Sequence, residues 1–354
     1  MNAGLLRKAI YSLILGFLIF GVSSSMGSIA EGSDLLTVCA AGPPACTTSS
    51  LQEAAAVASD GSTIFVDPGQ YDGPVIVGKN LTIIGSGKEQ TIVTRGIIAA
   101  GPFLVTLRAL QVTAGLNGVQ GQAAPGLPEV FAPALVLESV KITGNAGNGI
   151  ALFNASSASL TDVEITGNGL TIRGQPVGSG IAARGTASIS IRGNSVVELS
   201  GANGISMADN TSLSISGSTL IQMNQLSGIQ LGGSASASIS NLTAQANGCY
   251  GLDVADNSSA GVDGGTYQGN AAAGIKVGGP SSTLIGCGTN TDVDISASAT
   301  ISNSVVSGNP VGIQVGDFSK VMEKASLTTI GVIYIGNGAD LVVDPEAEKT
   351  VSQN

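Results

Sequence analysis

A two-residue phrase, glycine followed by isoleucine or leucine, recurs along this chain at near-constant spacing and restricts it to architectures built by stacking. It stands at Gly149-Ile150, Gly180-Ile181, Gly204-Ile205, Gly228-Ile229, Gly251-Leu252, Gly274-Ile275 and Gly312-Ile313, and from Gly180 to Gly274 the steps are 24, 24, 23 and 23 residues. An asparagine stands four residues ahead of most copies (Asn145, Asn224, Asn247, Asn270), Ser200 takes that place once, and Asn309 lies three residues ahead of Gly312. In the copy from Gly228 to Asn247, the pairs Ile229/Leu231, Ala237/Ile239 and Leu242/Ala244 form three short alternating runs broken by Gly, Ser and Asn. Each run has the pattern of a strand with one buried face. Strands this short bury their apolar sides only against copies above and below.

A copy of this length matches one coil of three strands. The expected fold is therefore all-β: a single-stranded right-handed parallel β-helix of about ten coils, roughly 50 Å long at ~4.8 Å per coil. The leucine and asparagine spacing of leucine-rich repeats is missing, as are the amphipathic helices of ankyrin or tetratricopeptide repeats. The recurrent asparagine fits the same picture, because an amide carries two donors and an acceptor and can bond its counterpart in the next coil. Asn145, Asn168, Asn224, Asn247, Asn270 and Asn309 are the expected rungs of such a ladder.

The chain begins with Arg7 and Lys8, the apolar run Ala9 to Val22, and small residues ending at Ser28-Ile29-Ala30. This is the three-part pattern of a secretory signal peptide, with cleavage expected after Ala30. An exported, extracellular or periplasmic mature chain follows, with no later run long enough to span a membrane. In that setting four cysteines suggest two disulfides. The short loop between Cys39 and Cys46 is expected to close, leaving Cys249 to pair with Cys287. Ser50-Leu51-Gln52-Glu53 has capping-box spacing ahead of an alanine-rich run, so one short helix is expected where it covers the open end of the first coil.

The segment from Thr37 to Gly87 resembles the opening of exported right-handed parallel β-helix proteins of the pectin-lyase-like superfamily. Ser50, Leu51, Gln52, Ala54, Thr63, Ile64, Val66, Pro68, Gly69 and Tyr71, followed by Leu81-Thr82-Ile83-Ile84-Gly85, carry the likeness. The resemblance implies the solenoid and little about activity, because the superfamily holds lyases, hydrolases, esterases, epimerases, copper-site maturation proteins and adhesins. The paired aspartates and Gly-His-Gly of polygalacturonases and the Gln-Asp-Thr and Arg-Pro-Trp phrases of pectin methylesterases are absent, so no catalytic residue is carried across. The domain plan is a signal peptide over 1–30, a disulfide loop and capping helix over 31–62, and the β-helix over 63–325. Insertions fall near 120–133, 169–177 and 278–295, and the last strands, C-terminal cap and polar tail occupy 326–354.

Composition narrows the chemistry further. There is no His and no Trp, which removes imidazole catalysis, a Ser-His-Asp triad and histidine metal sites. A net charge of −10 disfavours nucleic acid as a partner. The sheet that follows the Gly-Ile strand should present hydroxyls outward, including Ser159, Thr161, Ser188, Ser190, Ser214, Ser236, Ser238, Ser259, Thr300 and Ser302. Arg173, Arg184 and Arg192 form a basic group able to hold a carboxylate or sulfate. Asp253 and Asp256, within a set that includes Asp209 and Asp263, are candidate calcium ligands, calcium being the one cofactor considered. The functional expectation is an exported surface-structural, adhesive or glycan-binding module whose partner is a polysaccharide or a cell-surface protein. The alternative is a divergent polysaccharide lyase or other carbohydrate-active enzyme acting on an acidic polymer.

Overall fold

The aliphatic residue of each Gly-Ile phrase stacks directly on its counterpart in the next coil: Ile150 on Ile181, Ile181 on Ile205, then Ile229, Leu252, Ile275 and Ile313. The computed structural model describes residues 34–169, 171–172, 175–279, 287, 295–316, 323–344 and 348–353. The segment 1–30, read above as a signal peptide, lies outside them.

Each coil contributes three strands. The Gly-Ile strands form an 11-stranded sheet running from Val75–Val77 to Ala339–Val343, so eleven coils stack among the described residues where about ten were expected. The strands of the other two faces belong to a 21-stranded sheet, because Ser236–Gln245, Ser259–Gln268 and Ile295–Ser307 run continuously round the corner between those faces. All coil-to-coil pairings are parallel. Alternating apolar residues from all three faces point inward and merge into one continuous core.

The asparagines of the repeat occupy one buried corner. Asn145 Nδ2 donates to Asn168 Oδ1 (2.8 Å), Asn224 to Asn247 (2.9 Å), Asn247 to Asn270 (3.0 Å) and Asn270 to Asn309 (3.2 Å). Each Oδ1 also accepts the backbone N–H of the rung before it, and each Nδ2 reaches a carbonyl such as Ile142 O or Ile221 O. Ser200 interrupts the series, its N–H donating to Asn224 Oδ1. One rung beyond the expected set completes it: Asn309 Nδ2 donates to Asn337 Oδ1 (3.2 Å).

The glycine of the repeat is part of the same device. A Cβ on Gly228 would lie 2.7 Å from Gly251 O and 2.9 Å from Asn247 Nδ2, and Gly149, Gly204 and Gly251 face the same two groups of their own next coil. Only glycine lets the corner backbone close over the ladder amide.

The N-terminal end is closed by α1 (Leu51–Val57) and a strand, Leu35–Val38, that pairs with Ser62–Val66 and that the sequence pattern had not marked. Ser50 caps α1 by accepting from the Glu53 N–H, and Gln52 Oε1 accepts the N–H of Ile76 on the first Gly-Ile-type strand. Disulfides join Cys39 to Cys46 and Cys249 to Cys287.

Two boundaries move. Residues 119–122 are a coil strand, so the first insertion begins after Gln122. The strand Glu323–Ile330 crosses the boundary placed at 325, the last strands expected beyond it are present at Ile333–Ile335 and Ala339–Val343, and coil pairing resumes at Glu348–Gln353 in the section expected to hold the cap and tail. The second insertion carries a small antiparallel pair, Thr171–Ile172 with Gln175–Pro176. Of the third, Gly278, Gly279, Cys287 and Ile295 are described.

Candidate functional site: the hydroxyl-lined face

The sheet that follows the Gly-Ile strands alternates small apolar residues inward with hydroxyls outward. Register makes the hydroxyls line up. Ser157, Ser188, Ser212, Ser236, Ser259, Ser298 and Ser326 form one unbroken column of serines, each directly above the last. Two residues further along each strand, a second column runs Ser159, Ser190, Ser214, Ser238, Gly261, Thr300 and Thr328. Thr161 and Ser302, also expected on this face, belong to a third column at its far edge, where Thr161 neighbours Arg192 and Ser302 follows Asp263. An open depression of about 440 Å3 lies over the middle coils, lined by Val136, Ser159, Ser190, Ser214, Arg192 and their neighbours.

The basic group is only partly assembled. Arg173 lies outside the described residues. Arg192 ends the strand Ser188–Arg192 and shares its outward side with Ser188 and Ser190. Arg184 sits at the corner before that strand, whose own length is roughly 13 Å. Both side chains are exposed, and neither guanidinium has a hydrogen-bond or ion-pair partner among the described residues. The other cations with described side chains are engaged: Lys79 by the α1 carbonyls of Ala56 and Ala58, Lys88 and Lys141 by Glu164, Arg95 by Asp72, Arg108 by Glu138 and Lys276 by Asp253.

The aspartates proposed for calcium do separate work. Asp256 belongs to a corner column in which Asn154, Gly185, Asp209, Gly233, Asp256 and Gly279 all adopt positive φ. Acid or amide alternates with glycine, and the carboxylates of Asp209 and Asp256 accept the N–H of Gly185 (2.9 Å) and Gly233 (2.8 Å) in the coil before. Left-handed backbone suits Asn, Asp and Gly. The Asp/Asn turns that suggested a metal site therefore also have a backbone reason. Asp263 Oδ1 accepts from Asn303 and Ser302, which holds its carboxyl below the ordinary range. Among the described residues no group of three or more Cys, Asp or Glu is arranged to hold a metal.

Asp253 is elsewhere, on the outward side of the Gly-Ile sheet, and it is fully buried. Its neighbour in register, Lys276, is also fully buried, with Nζ 3.6 Å from Asp253 Oδ1 and 5.3 Å from the centre of the Tyr250 ring. Gln230 continues the column and accepts from Asn203 Nδ2 (2.8 Å). Cys287, joined to Cys249, packs beside Tyr250, whose hydroxyl donates to the Cys287 carbonyl. Nothing in the alternation distinguished this buried charged cluster from solvated surface.

The remaining face carries a groove of about 320 Å3 lined by Lys88, Asp162, Glu164, Asn194, Glu198 and Gln222. Burial pushes the Glu164 carboxyl upward, but Lys88 and Lys141 outweigh it and hold the group below its ordinary value. An amide chain runs from Gln245 to Gln222 to Glu198 along the same face.

Comparison with known proteins agrees with this geometry. The family described as right handed beta helix region matches residues 120–289. No curated protein sequence matches the chain. Among solved structures, the A-module of mannuronan C-5 epimerase AlgE4 from Azotobacter vinelandii is similar with a TM-score of 0.55 at 14% identity, over 84% of this chain and 93% of that one. An α-1,3-glucanase catalytic unit from Streptomyces thermodiastaticus gives 0.50 at 14% identity, over 84% and 65%. Tailspike protein 2 of an Escherichia coli bacteriophage gives 0.54 at 14% identity, over 80% of this chain but 42% of the other. Identities this low speak for a shared fold alone.

Proposed function

We infer, starting from a chain that is a right-handed parallel β-helix protein of pectin-lyase-like fold, that it is an exported glycan-binding module, with the hydroxyl-lined face as its binding surface. The observation that carries this reading is the unbroken serine register. It sets hydroxyls about 4.8 Å apart along the stack and about 7 Å apart across it, each able to donate and accept. Single contacts of this kind are weak, because each replaces a hydrogen bond to water. A polymer that engages many at once is the ligand class such a surface suits.

Catalysis is not part of the proposal. Sugar-cleaving or epimerising chemistry needs a positioned base and charge stabilisation near the reacting carbon. On this face the Glu138 carboxylate is held by Arg108 at 2.8 Å, and Asp263 Oδ1 accepts from Ser302 and Asn303. The epimerase and glucanase named among the structural neighbours keep an enzymatic role as the competing reading.

A glycan array probed with the secreted, disulfide-intact protein, with and without calcium, tests the proposal alongside product assays on a polysaccharide panel. Calcium-independent binding of one or more polysaccharides without product is the expected result. Product release would replace the proposal with the enzymatic reading, and a blank array would remove it.

A further inference from the structure

Coils of a solenoid touch only their neighbours, so the strength of each coil-to-coil interface decides which of them open together. Here two devices add to the strand pairing, and both stop at the same boundary. The first is a brace of four charges. Lys88 and Glu89 stand in a loop drawn out at the corner between Leu81–Gly85 and Thr91–Thr94. Glu89 pairs with Lys141 (3.0 Å) two coils on, Lys88 pairs with Glu164 (3.0 Å) three coils on, and Lys141 joins Glu164 (3.1 Å) to close the network. Among the described residues no ion pair carries the brace past Glu164.

The second device is the asparagine ladder. Amide-to-amide bonding runs from Asn145 to Asn168, then resumes at Asn224 and continues to Asn337. Ser200 stands between, buried, and its hydroxyl has no hydrogen-bond partner among the described residues. The corner still keeps its glycine: a Cβ on Gly180 would lie 2.7 Å from Gly204 O and 2.9 Å from Ser200 Oγ. Only the amide is missing. Strand pairing crosses on all three faces, so the boundary is a weakened interface in a continuous stack.

We propose that the solenoid consists of two blocks that open independently, meeting between the coil of Asn168 and the coil of Ser200. The boundary passes beneath both surface openings. The depression takes Val136 and Ser159 from the first block and Ser190 and Ser214 from the second, and the groove takes Glu164 from the first and Glu198 and Gln222 from the second. A ligand seated in either opening touches both blocks and so couples them. The inference concerns the scaffold and does not depend on what the hydroxyl-lined face binds.

Hydrogen exchange read by mass spectrometry on the full secreted protein, over a series of low denaturant concentrations, follows the opening of segments 81–166 and 205–277 separately. Asn247→Ser removes a rung within the second block, and serine is a residue this corner already accommodates at Ser200. It should raise opening of 205–277 by about tenfold and leave 81–166 within about twofold. Lys88→Met keeps the alkyl stem but removes the brace, and should raise opening of 81–166 by about threefold with 205–277 within about twofold. Ser200→Asn supplies the missing rung, and in that background the Asn247→Ser effect should spread to both segments. Equal rises in both segments in either single variant overturn the two-block inference. An Asn247→Ser effect that stays confined despite Ser200→Asn overturns the missing amide as the cause of the boundary.

Discussion

Two outward faces of the same solenoid handle polar residues in opposite ways. The hydroxyl-lined face exposes small neutral groups and leaves Arg192 unpaired in an open depression. The Gly-Ile face, one corner away, carries Asp253 and Lys276 at equally outward positions and buries both completely, with Lys276 over the Tyr250 ring. Alternation decides which way a side chain leaves the sheet. What lies beyond the sheet decides whether it meets water, and that determines whether a charge there is a stability element or is available to a ligand.

Three substitutions would break or sharpen this contrast. The largest effect is expected from Asp253→Ala, which leaves the Lys276 ammonium buried without its carboxylate. A loss of about 3–5 kcal/mol in denaturant unfolding is expected, and a loss below ~1 kcal/mol would show that this face is wetter than its burial implies. Next comes joint replacement of Cys249 and Cys287 by serine, which removes the crosslink across 38 residues beside the same cluster. It should cost about 2–4 kcal/mol and make Lys276 newly reactive toward an amine-acylating reagent in a mass-spectrometric footprint. Protection that persisted would show that the crosslink does not maintain the burial. The smallest effect should come from Ser214→Ala on the open face, within about 0.5 kcal/mol of wild type by thermal unfolding. A larger loss would mean that the serine columns stabilise the stack itself.

The fold was legible because two demands of the corner, an amide to bridge coils and a glycine to admit it, fall on residue types that stand out in a sequence. The last rung, Asn337, was hidden because Asp340-Leu341 replaces the usual Gly-Ile beside it. The strand Leu35–Val38 was missed because its partner lies 28 residues ahead and its four residues carry no repeat signal. The aspartate turns read two ways, since oxygen-rich turns suit calcium and left-handed corners alike. The alternation of acid and glycine at coil spacing was the available clue to the second. The burial of Lys276 left no mark in the sequence, because it lies against Asp253 and the Tyr250 ring of the preceding coil, which no local pattern encodes. Arg184 and Arg192 were visible as neighbours in sequence, but a strand's length holds them apart.

The asparagine ladder gives the molecule a unit of length. A rung bonds only to the equivalent atom one coil away, so added residues must loop out between rungs, as they do between Asn270 and Asn309, 39 residues apart, where the pairing is kept. Loss or duplication of a whole coil restores the same pairing, with Asn224, Asn247 and Asn270 interchangeable as neighbours. Such a chain can evolve its reach in whole steps, lengthening its serine columns without inventing a new fold.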